Sequence, residues 1–300
     1  MVKPTQPEGF LNILKPRGMT SHSVVAAVRR LYHCREVGHM GTLDPDARGV
    51  LPIAVGRYTK LITWVGLTPK IYRGWMNLGI GTTSGDTEGQ VTSHSGPPWP
   101  TRGDVDLAAR WLMGQRIQIP PRVSAIQQGG QRLYAQTRNG RAVWPAPRPV
   151  LVEQLVLVAG SGTRWQFEAT VGTGTYIRAL VRDWGFLLGH SAHLEGLERT
   201  QVGRFHEDQA WTLEALQALG GSNVHALQPF STILDMPQTA IDPSLKDALR
   251  HGRQDLLTHL DGLPNSLVAL TLDGDIMAIV DGSKKRYIKV LIKDEPHATH

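Results

Sequence analysis

Hydrophobic positions along the chain fall into two spacings, the alternation of strands and the three-to-four-residue recurrence of helices. Residues 10–14 read as a short strand that runs into a turn at Lys15-Pro16-Arg17-Gly18. Thr20 or Ser21 then caps a helix whose apolar face is Val24, Val25, Val28 and Leu31. Met76, Leu78 and Ile80 alternate, as do Trp165, Phe167, Ala169 and Val171, which predicts two half-buried strands. Thr175 can cap a second helix with Ile177, Leu180, Val181, Trp184 and Leu188 facing inward, and Gly189 is a suitable stop. Gly- and Pro-rich loops are expected over 81–104 and 114–149. The pattern predicts a mixed α/β chain with long surface excursions grafted onto a sheet.

Near 232–240 the pattern breaks at Asp235-Met236-Pro237. A helix-like piece follows at 245–250, then short strands at 266–272, 276–280 and 287–292, punctuated by Asp-Gly turns. A stretch of roughly 60 residues is near the lower limit for independent folding. It is expected to be a small β-rich appendage packed on the main domain.

Composition adds limits. At 41% hydrophobic and 19% charged residues the chain has the makeup of a folded globular protein. No apolar run reaches the roughly 20 residues of a membrane helix. The opening segment carries Pro and Glu where a signal peptide needs apolar residues, so the cytoplasm is the expected compartment and no membrane partner is expected. Cys34 is the single cysteine, which excludes intrachain disulfides and multi-thiolate zinc sites. A net charge of +6 suits a polyanionic partner. The distribution says more: residues 102–148 hold eight arginines, no lysine and two carboxylates, Asp104 and Asp106. Arginine forks donate paired hydrogen bonds to phosphate, although the same run also fits a solvated basic face.

The densest chemistry lies at 37–52, where Gly38, Gly41 and Gly49 permit unusual backbone angles and Pro45 and Pro52 stiffen the path. Such a loop can fix one acid, Asp44, with His39 beside it. An isolated Asp-Pro is more often a plain turn, and both readings stand on these residues alone. No His, Asp or Glu cluster has metal-ligand spacing, and Gly79-Ile80-Gly81 lacks the downstream glycine of a dinucleotide loop. A serine-nucleophile elbow is also missing.

The stretch Gly38-His39-Met40-Gly41-Thr42-Leu43-Asp44-Pro45-Asp46-Ala47-Arg48-Gly49-Val50-Leu51-Pro52, followed by Gly56, Thr59 and Lys60, resembles the signature of TruB-type pseudouridine synthases. Further blocks resemble that family in the same order: Lys15-Pro16-Arg17-Gly18-Met19-Thr20-Ser21, Lys70-Ile71-Tyr72-Arg73, Pro120-Pro121-Arg122-Val123-Ser124-Ala125, Arg132-Leu133-Tyr134, Gly174-Thr175-Tyr176-Ile177-Arg178, and Ala192-His193 with Leu197 and Arg199. Tyr58, Gln127, Ala135 and Ser191 depart from the family's usual residues, none of them at a catalytic position. The resemblance covers about 9–235 and is weaker beyond.

What the resemblance implies is specific. The fold would be α/β (α+β), with a mixed, largely antiparallel sheet of the pseudouridine synthase type. A catalytic domain would span 1–235, with an RNA-binding insertion at about 102–148, and a PUA-like RNA-binding module would span 236–300. The activity would be isomerisation of uridine to pseudouridine at position 55 in the T loop of tRNA. A stand-alone monomer would grip the T-arm with no cofactor, no metal and no guide RNA. Asp44 would attack C1′ or C6 of the nucleotide, or remove the ribose 2′ proton. Arg178 would favour its charged form and fix its orientation. Tyr72 would stack on the uracil and accept the C5 proton, and Leu197 would floor the pocket. His39 would contact the bases left behind by the flipped one. Lys15, Arg199, Arg122 and Arg132 would bind RNA, giving an affinity that falls with salt. Competing readings are an RNA-binding protein without catalysis, a guide-RNA-dependent relative acting on ribosomal RNA, and, disfavoured by the missing phosphate loop, a metabolic enzyme for small anions.

Overall fold

The structure is a computed structural model that describes residues 7–121, 127–128, 131–132, 145–260 and 262–292. Its main body contains β1 (Gly9–Lys15), α1 (Ser21–Leu31), β2 (Val37–His39), β3 (Arg48–Val55), β4 (Lys70–Leu78), β5 (Ile80–Thr82), β6 (Val91–His94), α2 (Arg102–Leu112), β7 (Gly114–Gln118), β8 (Gln127–Gln128), β9 (Gln131–Arg132), β10 (Arg148–Ser161), β11 (Arg164–Val171), α3 (Ile177–Leu187), β12 (Ala192–Val202) and β13 (Phe205–His206). The central sheet runs β1-β3-β12-β4-β11-β10-β7, with β2 added to β3 and β13 to β12. Every pairing is antiparallel except β3 with β12. The mixed, largely antiparallel sheet is as expected.

The parallel contact needs a glycine. At Gly49 φ is +119°, and a Cβ there would lie 2.2 Å from the carbonyl oxygen of Arg199. No larger residue fits where β3 presses on β12, and that contact sets the loop before β3 against the middle of the sheet. Helix α1 starts as expected, with Thr20 as the cap: its hydroxyl accepts from Ser23 N at 3.0 Å. Val24, Val25 and Val28 are buried in the layer over β1 and β3.

Several expectations change. Ile80 does not extend the strand of Met76 and Leu78, because Gly79 at φ +100° turns the chain and β5 pairs with β6 instead. Thr175 does not cap α3. Its hydroxyl donates to Leu151 O, while the amide of Tyr176, which precedes the helix, donates to Gln118 Oε1 at 2.9 Å. Among the described residues, 81–104 and 114–149 include helical and strand segments as well as loops. Thr101 and Asp104 form a reciprocal capping box at the start of α2, whose Val105, Ala108, Ala109 and Leu112 join the core with Phe167 and Trp184. Part of the arginine-rich stretch therefore belongs to the packed body.

Beyond residue 235 a four-stranded sheet forms from β14 (Gln238–Ala240), β15 (Leu267–Leu272), β16 (Asp275–Asp281) and β17 (Arg286–Val290). It has two apolar faces. Val268, Leu270 and Ala278 pack on the short helices Lys246–Arg250 and Gln254–His259. Ala269, Ile276 and Ile279 share a core with Phe10, Tyr58 and Phe230 of the main body. Arg57, held by Glu8 at 2.5 Å within the main body, reinforces this junction by donating to Leu291 O at 3.3 Å.

A shared core makes the two sheets one cooperative unit. Ile279→Ala is expected to lower the unfolding free energy by about 2–4 kcal/mol, with one transition by denaturant titration followed at both near- and far-UV wavelengths. Two separate transitions would show that the sheets do not depend on each other.

Candidate active site

Asp44 sits in the loop between β2 and β3, and the backbone of that loop is tied from three sides. Ser21 Oγ accepts from Leu43 N at 2.9 Å and donates to Leu43 O at 3.0 Å. Gly18 N donates to Pro45 O at 2.9 Å. Lys15 Nζ, wholly buried, donates to the carbonyls of Pro16, Met19 and Pro45 at 2.9, 2.7 and 3.0 Å. Arg199, 1% exposed, spreads its fork over Val50 O at 2.8 Å, Gly41 O at 3.1 Å and Thr42 O at 3.4 Å. Each cation costs desolvation, and each is compensated by carbonyls converging from separate segments.

The Asp44 side chain leaves this loop 42% exposed and meets Arg178 of α3. Arg178 Nη2 donates to Asp44 Oδ1 at 3.2 Å, and Nε lies 3.0 Å from Oδ2, so both oxygens face the guanidinium. The arginine is 6% exposed and has support behind it. Its Nη1 donates to Ser84 O at 2.9 Å and lies 3.4 Å from Asp86 Oδ2. Asp86 is itself held by the Ser84 hydroxyl and by Glu88 N at 3.1 Å. One guanidinium is thus clamped between two carboxylates, which fixes its plane and the orientation of Asp44.

The cavity beside Asp44 has a volume of about 260 Å³. Its floor follows from strand register. Tyr72 on β4 stands opposite Arg199 on β12, and the period of two puts Lys70 on the face of Tyr72 and Leu197 on the face of Arg199. Tyr72 and Leu197 are 7% and 8% exposed, and both line the cavity with Asp44, Lys70 and Arg178. Arg148 closes another side, its guanidinium 4.7 Å above the Tyr176 ring. A wider apolar cleft near Trp99 and Trp111 contains no such cation–carboxylate set. Among the described residues, no three His, Cys, Asp or Glu side chains come together as a metal site.

The sequence-derived residues separate accordingly. Asp44, Tyr72, Arg178 and Leu197 meet at one cavity. Lys15 and Arg199 are buried on backbone carbonyls and support the loop. His39 is half-buried next to the cavity, with Nδ1 accepting from Gly41 N at 3.4 Å. Burial, then Arg199 and His22, push its pKa below the usual imidazole range. Arg122 lies outside the described residues, and Arg132 ends β9, one strand of a two-stranded hairpin. Sequence reasoning missed Asp86, and gave Lys70 only within a family-like block and Arg148 only as the end of the arginine-rich stretch. Only the run Thr82-Thr83-Ser84-Gly85-Asp86, with turn-forming and carboxylate groups together, hinted at the first.

Comparison with known proteins agrees with this geometry. Residues 29–177 match the model "TruB family pseudouridylate synthase (N terminal domain)", and residues 178–234 match "tRNA pseudouridylate synthase B C-terminal domain". The chain is 40% identical to a "tRNA pseudouridine synthase B" of Heliobacterium modesticaldum, over 84% of this chain and 83% of that protein. It is 40% identical to a protein of the same name from Nocardia farcinica, over 95% and 92%. Among solved structures, the Cbf5-Nop10-Gar1 complex contains a chain with a TM-score of 0.67 at 23% identity, covering 96% of this chain and 85% of that one, a likeness of fold.

Two expectations follow from the site. Asp86→Asn removes one of the charges that clamp Arg178. It should lower turnover roughly ten- to a hundredfold by letting Asp44 drift, with substrate binding retained; unchanged single-turnover rates would remove Asp86 from the machinery. The second concerns pH. Burial lowers Lys15 and Lys70 to about 8, against about 10.5 for an unfolded lysine. Between those values the unfolded chain binds more protons, so these groups add stability as pH rises. The quotient kcat/KM is expected to fall above pH 8 as the two ammoniums discharge, while the unfolding midpoint holds or rises up to about pH 9.5. Parallel decline of both would contradict the assignment.

Proposed function

The chain belongs to the TruB family of pseudouridylate synthases, and we propose that it isomerises uridine 55 in the T loop of tRNA, acting alone as a monomer in the cytoplasm. The observation that carries this reading is one juxtaposition: a solvent-accessible carboxylate, Asp44, oriented by a buried guanidinium at the edge of a cavity floored by Tyr72 and Leu197.

The reaction breaks the bond between N1 of uracil and C1′ of ribose, turns the base and joins C5 to C1′. The C5 proton leaves and N1 gains one, with no electrons exchanged and no group imported. These steps call for a carboxylate, a surface to hold the loosened base and a proton acceptor, all of which protein side chains supply. Asp44 acts on the sugar or base in each available route: as nucleophile at C1′ or C6, or as base at the ribose 2′ position. Tyr72 stacks on the uracil and takes the C5 proton, and Leu197 supports the opposite edge. Extrusion of the base from the loop costs a few kcal/mol, and His39 on β2 is suited to contact the bases left behind.

RNA recognition on this reading is spread over the surface. Residues 1–235 form the catalytic unit, with 102–148 contributing Arg122 and Arg132 to the T-arm, and 236–300 form a PUA-like module. Exposed Lys284, Arg286 and Lys289 at the β16–β17 end support an anionic partner for that module. Relatives that align over nearly the whole length and carry a tRNA synthase name support a stand-alone enzyme.

Asp44→Asn keeps the size and most hydrogen bonding of the side chain and removes its charge. It is expected to bind an unmodified tRNA transcript within about threefold of the wild type and to lose turnover by at least about a thousandfold. Release of label from uracil C5 at position 55 measures the loss, and filter binding measures affinity. Normal label release by the variant would refute the catalytic assignment.

A further inference from the structure

The roles above leave two cations of the Asp44 cavity without work. Lys70, Arg148, Arg178 and Arg199 line it, against the single carboxylate of Asp44. Arg178 is matched to Asp44 and Asp86, and Arg199 is spent on three carbonyls. Lys70 is different. It opens β4 two residues before Tyr72, on the same face, yet among the described residues no carbonyl or carboxylate comes within hydrogen-bonding distance of its ammonium. The charge that acts on it is another cation, Arg199. A Cβ built on Gly41 would lie 3.7 Å from Lys70 Nζ and 3.8 Å from Arg199 Nη1, so the bare glycine of the Asp44 loop faces both. Arg148 donates to Gly174 O, but its Nε is buried with no hydrogen-bond partner among the described residues.

Half-burying an ammonium beside a guanidinium is costly, and burial together with Arg199 lowers Lys70 to about 8. None of the roles assigned above uses that ammonium. The nucleotide does bring anions to the cavity mouth, its two flanking phosphodiesters. We propose that Lys70, assisted by Arg148, is the subsite for a phosphodiester next to the extruded uridine, and so anchors the RNA at the cavity mouth. The inference rests on reading this cavity as the uridine site. A lysine can serve there as a compact point charge with three rotatable donors.

The test is a cycle of enzyme and substrate changes. Wild type, Lys70→Arg and Lys70→Met are assayed on a T-arm stem-loop, native or with one neutral methylphosphonate placed 5′ or 3′ of the target uridine. Lys70→Met should raise KM about tenfold on the native RNA with kcat changed less than about twofold, and Lys70→Arg should recover most of the loss. The slope of log KM against log salt should shrink by about 0.7 for the lost contact. On one of the two neutral substrates, wild type and Lys70→Met should become equal. An equal penalty on all three substrates, or a loss confined to kcat, overturns the proposal. If Lys70→Met does not fold, the wild type decides: one methylphosphonate must raise KM about tenfold, and no rise at either position overturns the proposal. Failure of the wild type on the native stem-loop would instead sink the tRNA reading beneath it.

Discussion

An ammonium buried away from water must find oxygen on every side, and at Lys15 those oxygens come from three carbonyls: two in the turn after β1 and one from Pro45, next to Asp44. The loop is held there because leaving the charge unsatisfied would cost several kcal/mol. Arg199 imposes the same condition from the sheet side through Gly41, Thr42 and Val50. Together they define the path of residues 41–50, so the Asp44 carboxylate leaves the loop toward α3. The second clamp, Arg178 between Asp44 and Asp86, can form only after that path is set. Catalytic geometry here is therefore a consequence of carbonyl placement.

This dependence explains what could be read from the chain alone. The strand at 10–14, the helix after Thr20 and the strand at 165–171 follow from local periodicity, and β1, α1 and β11 stand where that periodicity put them. The Asp44–Arg178 pair came from motif resemblance, and the two side chains do meet. Sequence alone does not show that Lys15 and Arg199 are buried, because what buries them is the convergence of distant carbonyls. Asp86 was lost in a stretch taken for a surface excursion, although its partner lies 92 positions away on α3. The capping box at Thr101 and Asp104, with apolar residues at 105, 108, 109 and 112, was a local signal for α2 that the arginine content obscured.

The cations around the cavity are not interchangeable, and their side chains suit different tasks. Arg178 presents a plane whose two edges address two carboxylates, a geometry that lysine cannot reproduce. Lys15 meets three carbonyls from different directions, which suits the rotating donors of an ammonium. Arg199 reaches from Val50 on β3 to Gly41 and Thr42 of the loop before it, which suits a long rigid fork.

The sheet beneath these groups provides stiffness that loops could not. Tyr72, Leu197, Lys70 and Arg199 sit on adjacent central strands, fixed by backbone ladders on both sides, and Gly49 lets β3 approach closely enough to carry the Asp44 loop onto that face. On the far side of β3 the core continues through Phe10 and Tyr58 into the C-terminal sheet, so a load on that sheet is borne by the strands that support the loop. An RNA gripped by peripheral residues would thus press against a frame continuous with the cavity. Since displacement of a reacting group by about 1 Å can cost a hundredfold in rate, such continuity explains why a small β-rich appendage is welded to the body by an apolar core and the Arg57–Leu291 hydrogen bond instead of hanging from a linker.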